Sequence, residues 1–121
     1  MIIDTNIVLY EIRGLLAEAL PRHDVGISIV TKIELLGYPK LGTAEQALIN
    51  TVLKQVKIWP VDDQVADIAI MLRQRQALKV PDAVIAATAV VLNQELWTND
   101  FDLSRIEGLR CRSVNLRPST S

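Results

Sequence analysis

Five acidic residues hold positions from which chemistry could be done: Asp4, Glu34, Asp82, Asp100 and Asp102. Asp4 stops the short apolar run Met1-Ile2-Ile3, and Glu34 follows the β-branched run from Val25 to Val30, where it reads as a first-turn helical acid. Asp82 opens a long apolar stretch, while Asp100 and Asp102 follow Glu95-Leu96-Trp97-Thr98. Taken singly, each has an ordinary explanation as a helix cap or as an acid favoured by the helix dipole. Brought together they conflict, because carboxylates within about 4–6 Å oppose one another's ionisation. A hard divalent cation resolves that conflict. Mg2+ or Mn2+ prefers oxygen ligands, keeps several waters and is commonly held by a few carboxylates beside a phosphate. Such an ion acidifies its water and offsets charge developing on a phosphoryl oxygen, so the chemistry indicated is metal-dependent phosphodiester hydrolysis.

For these acids to meet, the chain must carry them to one edge. Met1–Ile3 reads as a buried strand feeding a helix in which Ile7, Val8, Leu9, Ile12, Leu15 and Leu16 recur at helical spacing. Val25–Val30 reads as a second strand, with helical character resuming at Thr31. An amphipathic helix is expected from Thr43 to Lys57, a short strand over residues 58–61, and a helix capped by Asp62-Asp63 that runs to about Leu78. Pro81 opens a helix to Leu92 that is apolar nearly all round and must therefore be buried on most sides. Residues 95–98 and 111–115 read as the last strands. Strands alternating with helices imply an α/β fold, a parallel sheet covered on both faces, and parallel strands deliver their C-terminal ends to one edge. The domain is expected over residues 1–117, with 118–121 a disordered tail.

The 121 residues are 50% hydrophobic and 22% charged, the composition of one globular domain, with 13 Lys+Arg against 14 Asp+Glu. With the five candidate site acids set aside, nine acids face 13 cations, so near-neutrality conceals an acidic pocket in a modestly basic remainder. That remainder includes Arg105, Arg110, Arg112 and Arg117. Binding of a phosphodiester substrate is then expected to need a divalent ion to mask the pocket. The single cysteine, Cys111, excludes an internal disulfide and reads as an unreactive thiol in a reducing, cytoplasmic setting. No apolar window is long enough for a membrane span. Other acidic or nucleophilic chemistries fit poorly: neither Asp4-Thr5-Asn6 nor Asp100-Phe101-Asp102 continues as a calcium loop, Asn6 stands where an aspartyl phosphotransferase needs its second Asp, and the lone imidazole, His23, lies in a polar loop.

Four segments in order resemble a known family: Ile3-Asp4-Thr5-Asn6, Ser28 to Tyr38, Leu78 to Ala89 with its Pro81-Asp82-Ala83, and Leu96-Trp97-Thr98-Asn99-Asp100-Phe101-Asp102. They are similar to the PIN-domain ribonucleases, specifically the VapC toxins of bacterial and archaeal toxin–antitoxin pairs. The resemblance implies a three-layer α/β/α fold and an Mg2+- or Mn2+-dependent endoribonuclease, leaving a 5′-phosphate and a 3′-hydroxyl and neutralised by a small VapB-like antitoxin. It implies that Asp4, Glu34, Asp82 and Asp100 are the acidic site positions, with Asp102 an alternative fourth acid and metal ligand. Thr98 matches a hydroxyl that helps order a water on the ion, and Thr5 and Asn6 orient Asp4 and cap its helix. Arg13 and Lys32 are the first candidates to hold the RNA backbone, ahead of Lys40, Arg73 and Arg75. A homodimer is expected, with Leu9, Leu15, Leu16, Leu36 and Tyr38 available to it or to the antitoxin where they are not core. Two other readings are a PIN nuclease of RNA maturation without an antitoxin and a catalytically inactive PIN-like binding module; the presence of all four acids speaks against the second.

Overall fold

The computed structural model describes residues 1–118. Its elements run β1 (Ile2–Ile3), α1 (Thr5–Ile12), β2 (Gly26–Ser28), α2 (Ile29–Leu36), α3 (Thr43–Leu53), β3 (Lys57–Trp59), α4 (Asp63–Arg75), α5 (Val80–Leu92), β4 (Leu96–Trp97), α6 (Phe101–Ser104) and β5 (Cys111–Arg112). The five strands form one parallel sheet in the order β3-β2-β1-β4-β5. From β1 the chain builds outward to β2 and β3 on one side, then returns to add β4 and β5 on the other. The first strand is thus central, and the order reverses between β1 and β4.

Strand alternation divides the core in two. Successive side chains point to opposite faces, so Ile2 packs with Leu96, α4, α5 and Leu103, whereas Ile3 packs with Ile27, Leu35, Ile49 and α1. Both faces are covered, which gives the three layers and explains why such short strands are apolar throughout. On the α5 face, Ala83 to Ala89 are buried without interruption. Thr88 is tolerated there because its hydroxyl donates to the Val84 carbonyl at 2.8 Å within the same helix. Gly26 is set by a close approach: a Cβ there would stand 2.7 Å from Trp59 Nε1 and 3.1 Å from Ile2 Cδ1.

Several boundaries differ from the expected ones, each for a local reason. The first helix ends at Ile12 rather than near Leu16, because Gly14 turns into the left-handed region and Leu16 instead bridges to Leu116. The second strand stops at Ser28, whose Oγ accepts from Val30 N at 3.1 Å and starts the helix earlier than Thr31. Glu34 therefore stands in the second turn of α2, not its first. The helix expected to reach Lys57 ends at Leu53, since Lys57 is taken by β3, and α4 ends at Arg75 before an extended Gln76. The strand at 111 is shorter than residues 111–115 because the Asn99 side chain takes over from the ladder, donating to the Val114 carbonyl and accepting from Val114 N. Of the expected tail, Pro118 is exposed and residues 119–121 lie outside the described residues. Among the described residues no helix is long and apolar enough to cross a membrane.

Candidate active site

The switch point between β1 and β4 gives the site its centre, as the crevice outside the C-terminal strand ends does in open α/β sheets. Asp4 leaves β1 there as the N-cap of α1, with Oδ1 accepting from Ile7 N at 2.9 Å. Only 5% exposed, it is held from the opposite side by Thr98, which follows β4 and donates its hydroxyl to Asp4 Oδ2. Thr98 Oγ1 in turn accepts from Asp100 N at 3.0 Å. One buried hydroxyl thus links the two acids across the crevice. Its single proton is committed to the carboxylate, so Thr98 orients Asp4.

Asp82 reaches the same edge by another route. It lies in the first turn of α5, after the Lys79 N-cap and Pro81, and is not itself the cap. Burial pushes its carboxyl above the ordinary 3.8, and the charges of Asp100, Glu34 and Asp4 push it further, with Lys79 opposing. Asp4 is raised from the same value chiefly by burial; the Thr98 and Ile7 hydrogen bonds oppose this, and Asp100 adds to it. The charges of Asp100, Glu34 and Asp4 thus all act on Asp82, and that of Asp100 acts on Asp4 as well. Asp102 is not among the charges acting on Asp4 or Asp82. It is exposed in α6, where its N–H donates to Asp100 Oδ1 at 2.9 Å and its carbonyl accepts from Gln76.

Glu34, the most exposed of the four, is placed by a relay that sequence reading missed. Thr5 Oγ1 donates to Glu34 Oε1 at 2.7 Å and lies 3.1 Å from Thr31 Oγ1. Because Thr5 has one hydroxyl proton, Thr31 must be the donor to Thr5. Thr31 is fully buried. The spacing of Thr31 and Glu34, three apart on one face of α2, was the available signal. Replacing Thr5 by Val should leave the buried Thr31 hydroxyl without its acceptor and cost about 1–3 kcal/mol. Urea denaturation reads this, with Thr5→Ser expected to hold wild-type stability; a Val variant within about 0.5 kcal/mol of wild type would refute the relay.

The expected cations are distributed unevenly. Arg13 lines a cleft of about 380 Å³ together with Thr5, Asn6, Leu9, Glu34 and Tyr38, so it adjoins Glu34 among the site acids. Lys32 is half-buried on α2 and does not line that cleft. Arg73 donates Nε to the Leu78 carbonyl and closes the α4–α5 connection, Arg110 donates to the Asn93 carbonyl, and Arg117 donates to that of Leu16. Those three are structural. Burial pushes the Cys111 thiol up, in keeping with an unreactive side chain.

The donor set is four carboxylates, hard oxygen ligands that suit Mg2+ or Mn2+ better than softer ions. Among the described residues no group of three or more acids, histidines or cysteines is placed to hold a metal ion together. The arrangement suits an ion that keeps several waters and takes one or two protein carboxylates at a time.

Comparison with known proteins gives a consistent picture. Residues 1–109 match the PIN domain family. No curated protein matches significantly. Among solved structures, a toxin–antitoxin complex from Klebsiella pneumoniae is 29% identical with a TM-score of 0.71, covering 89% of this chain and 93% of that one. VapBC2 from Rickettsia felis, bound to a DNA fragment from its promoter, has a TM-score of 0.77 at 20% identity, covering 94% and 98%. DNA-bound VapBC from Salmonella typhimurium gives 0.77 at 21%, covering 93% and 96%.

Proposed function

The chain belongs to the PIN domain family, and from that premise we propose that it is a divalent-metal-dependent endoribonuclease and the toxin of a VapBC-type pair. The observation that carries the reading is that Thr98 ties Asp4 to Asp100 across the sheet's switch point, while the charges of Asp100, Glu34 and Asp4 all act on Asp82 from other segments. A fold does not need such a cluster, which costs stability without a cation. Likeness to the Klebsiella pneumoniae toxin–antitoxin complex supports the toxin reading and a small VapB-like antitoxin as partner.

One or two carboxylates at a time from among Asp4, Asp82 and Asp100 would hold Mg2+ or Mn2+, with Glu34 the most exposed of the four acids. When bound, the ion supplies an acidified water and neutralises charge developing on the scissile phosphate. Everything else falls to the chain. The α1 N-terminus and Thr98 fix both oxygens of Asp4, so that carboxylate needs little reorganisation. The Thr31–Thr5 relay keeps Glu34 aimed at the pocket while leaving it exposed enough to accept a proton from the attacking water. Arg13, in the lining of the cleft it shares with Glu34, would neutralise a backbone phosphate of the bound strand.

The test is incubation of the purified protein with structured RNA in Mg2+, in Mn2+ and in excess chelator. Cleavage is expected with either ion, giving 5′-phosphate ends, and should vanish with chelator. Cleavage that survives chelation would sink the metal-nuclease reading. Capture of a small antitoxin that suppresses cleavage separates the toxin from an RNA-maturation nuclease.

A further inference from the structure

The chain has five aromatic residues, Phe 1, Tyr 2 and Trp 2. Tyr10, Trp59 and Trp97 are half-buried, whereas Phe101 is 70% exposed, the same as Tyr38. An isolated exposed ring needs no explanation by itself. Phe101 differs in three respects. It immediately follows Asp100, one of the acids converging on the pocket. Its backbone is held firmly: Asp100 Oδ1 caps the turn through Asp102 N, Ser104 Oγ donates to the Phe101 carbonyl at 2.6 Å, and Gln76 Nε2 reaches across from the end of α4 to the Asp102 carbonyl at 2.8 Å. And Arg105, one turn on and itself exposed, lays its guanidinium over the ring at 5.6 Å from the centroid.

The same turn shows that the ring was not simply left outside for want of room. Leu103, two residues on, is buried and anchors α6 to the core, so the turn directs one large apolar side chain inward and fixes the other outward. We propose that Phe101, with Arg105 over it, is a stacking platform for an unpaired base of the RNA next to the cleaved phosphate. The inference rests on the nuclease reading and adds to it the side chains that would receive a splayed base, Phe101 and Arg105. The chemistry of the pair favours nucleic acid over a protein partner. A ring offers a π-face to any base, and the guanidinium beside it offers N–H groups to the adjoining phosphate. A purely apolar protein contact would gain nothing from a solvated cation at its centre.

The test is steady-state cleavage of a labelled 12-nucleotide single-stranded RNA of mixed sequence in Mg2+, with binding of the same strand followed by fluorescence anisotropy in an Asp82→Asn background that leaves it uncut. Phe101→Ala should raise KM and Kd about tenfold, about 1.4 kcal/mol, while kcat stays within about twofold. Its melting temperature should match wild type, since the ring is exposed. Phe101→Trp should restore binding and Phe101→Leu should not, because stacking needs a π-face and burial does not. Rescue by Leu, or unchanged KM and Kd in the Ala variant, overturns the platform while leaving the nuclease reading intact. An Ala variant that keeps RNA affinity but loses a protein partner overturns it in favour of protein docking. Wild-type protein that neither binds nor cuts the strand overturns both.

Discussion

Asp82→Asn is expected to lower RNA cleavage about a thousandfold and, in metal-free buffer at neutral pH, to melt about 1–4 °C above wild type. The first effect follows from removing one carboxylate from the proposed ligand set, which forfeits several kcal/mol of charge stabilisation in the transition state. The second follows from the electrostatics of the pocket alone. Asp82 is not a helix cap, and its carboxyl is raised by burial and by Asp100, Glu34 and Asp4. Its folded-state value therefore lies above the unfolded one. A group of this kind stabilises the fold when protonated and withdraws that contribution as pH rises through its folded value. At neutral pH the ionised wild type bears the whole cost, and the Asn variant bears none. Because the group is partly solvated, screening keeps the gain small. As the pH falls towards 3.8, the ordinary carboxyl value, wild-type Asp82 becomes neutral and the two melting temperatures should converge. Saturating Mg2+ should reverse the order, since an ion bound to the folded state stabilises the protein that binds it better. Calorimetric melts in chelator at neutral and acidic pH, paired with cleavage rates, check all of this. A variant less stable than wild type in neutral chelator, or one that cleaves within tenfold of it, contradicts the account.

Thr98→Val should carry the larger stability loss, about 2–4 kcal/mol at neutral pH. The exchange preserves shape and deletes one hydroxyl. That hydroxyl is buried, donates to Asp4 Oδ2 and accepts from Asp100 N. Its loss leaves a buried carboxylate oxygen and a backbone N–H without partners on opposite sides of the switch point. The Thr98 hydrogen bond also favours the ionised form of Asp4, so deleting it should raise that carboxyl further. Two consequences have a sign. The acid limb of the cleavage profile should move to higher pH, and the stability penalty should shrink as pH falls and Asp4 takes up a proton. Thr98→Ser, which keeps the hydroxyl, should lie close to wild type. Urea denaturation of the three proteins at neutral and mildly acidic pH is the measurement. A Val penalty that is the same at both, or below about 0.5 kcal/mol, would remove Thr98 from this role.

Much of the site was legible because its determinants are local. Asp4 follows an apolar run too short to be anything but a buried strand, and Asp82 follows Pro81 at the head of a helix apolar all round. Element boundaries depart from the hydrophobic pattern where short-range hydrogen bonds set them. Ser28 starts α2 early and moves Glu34 into the second turn; Asn99 replaces part of a strand ladder. No periodicity announces such side-chain substitutions for backbone partners. Arg73, a candidate for the RNA backbone on its sequence position, instead closes the α4–α5 connection through the Leu78 carbonyl.

By itself the sequence determined the alternation of strands and helices, and hence that the acids share one edge, because hydrophobic pattern and parallel connection follow from neighbouring residues. Which acids meet was decided only by the tertiary structure. The order β3-β2-β1-β4-β5 sets Thr98 against Asp4 across 94 positions of chain, and the cap of a four-residue helix sends Asp102 outward while Asp100 faces the pocket. Strand order is fixed by burial of both sheet faces at once, a property of the whole core that no local segment encodes.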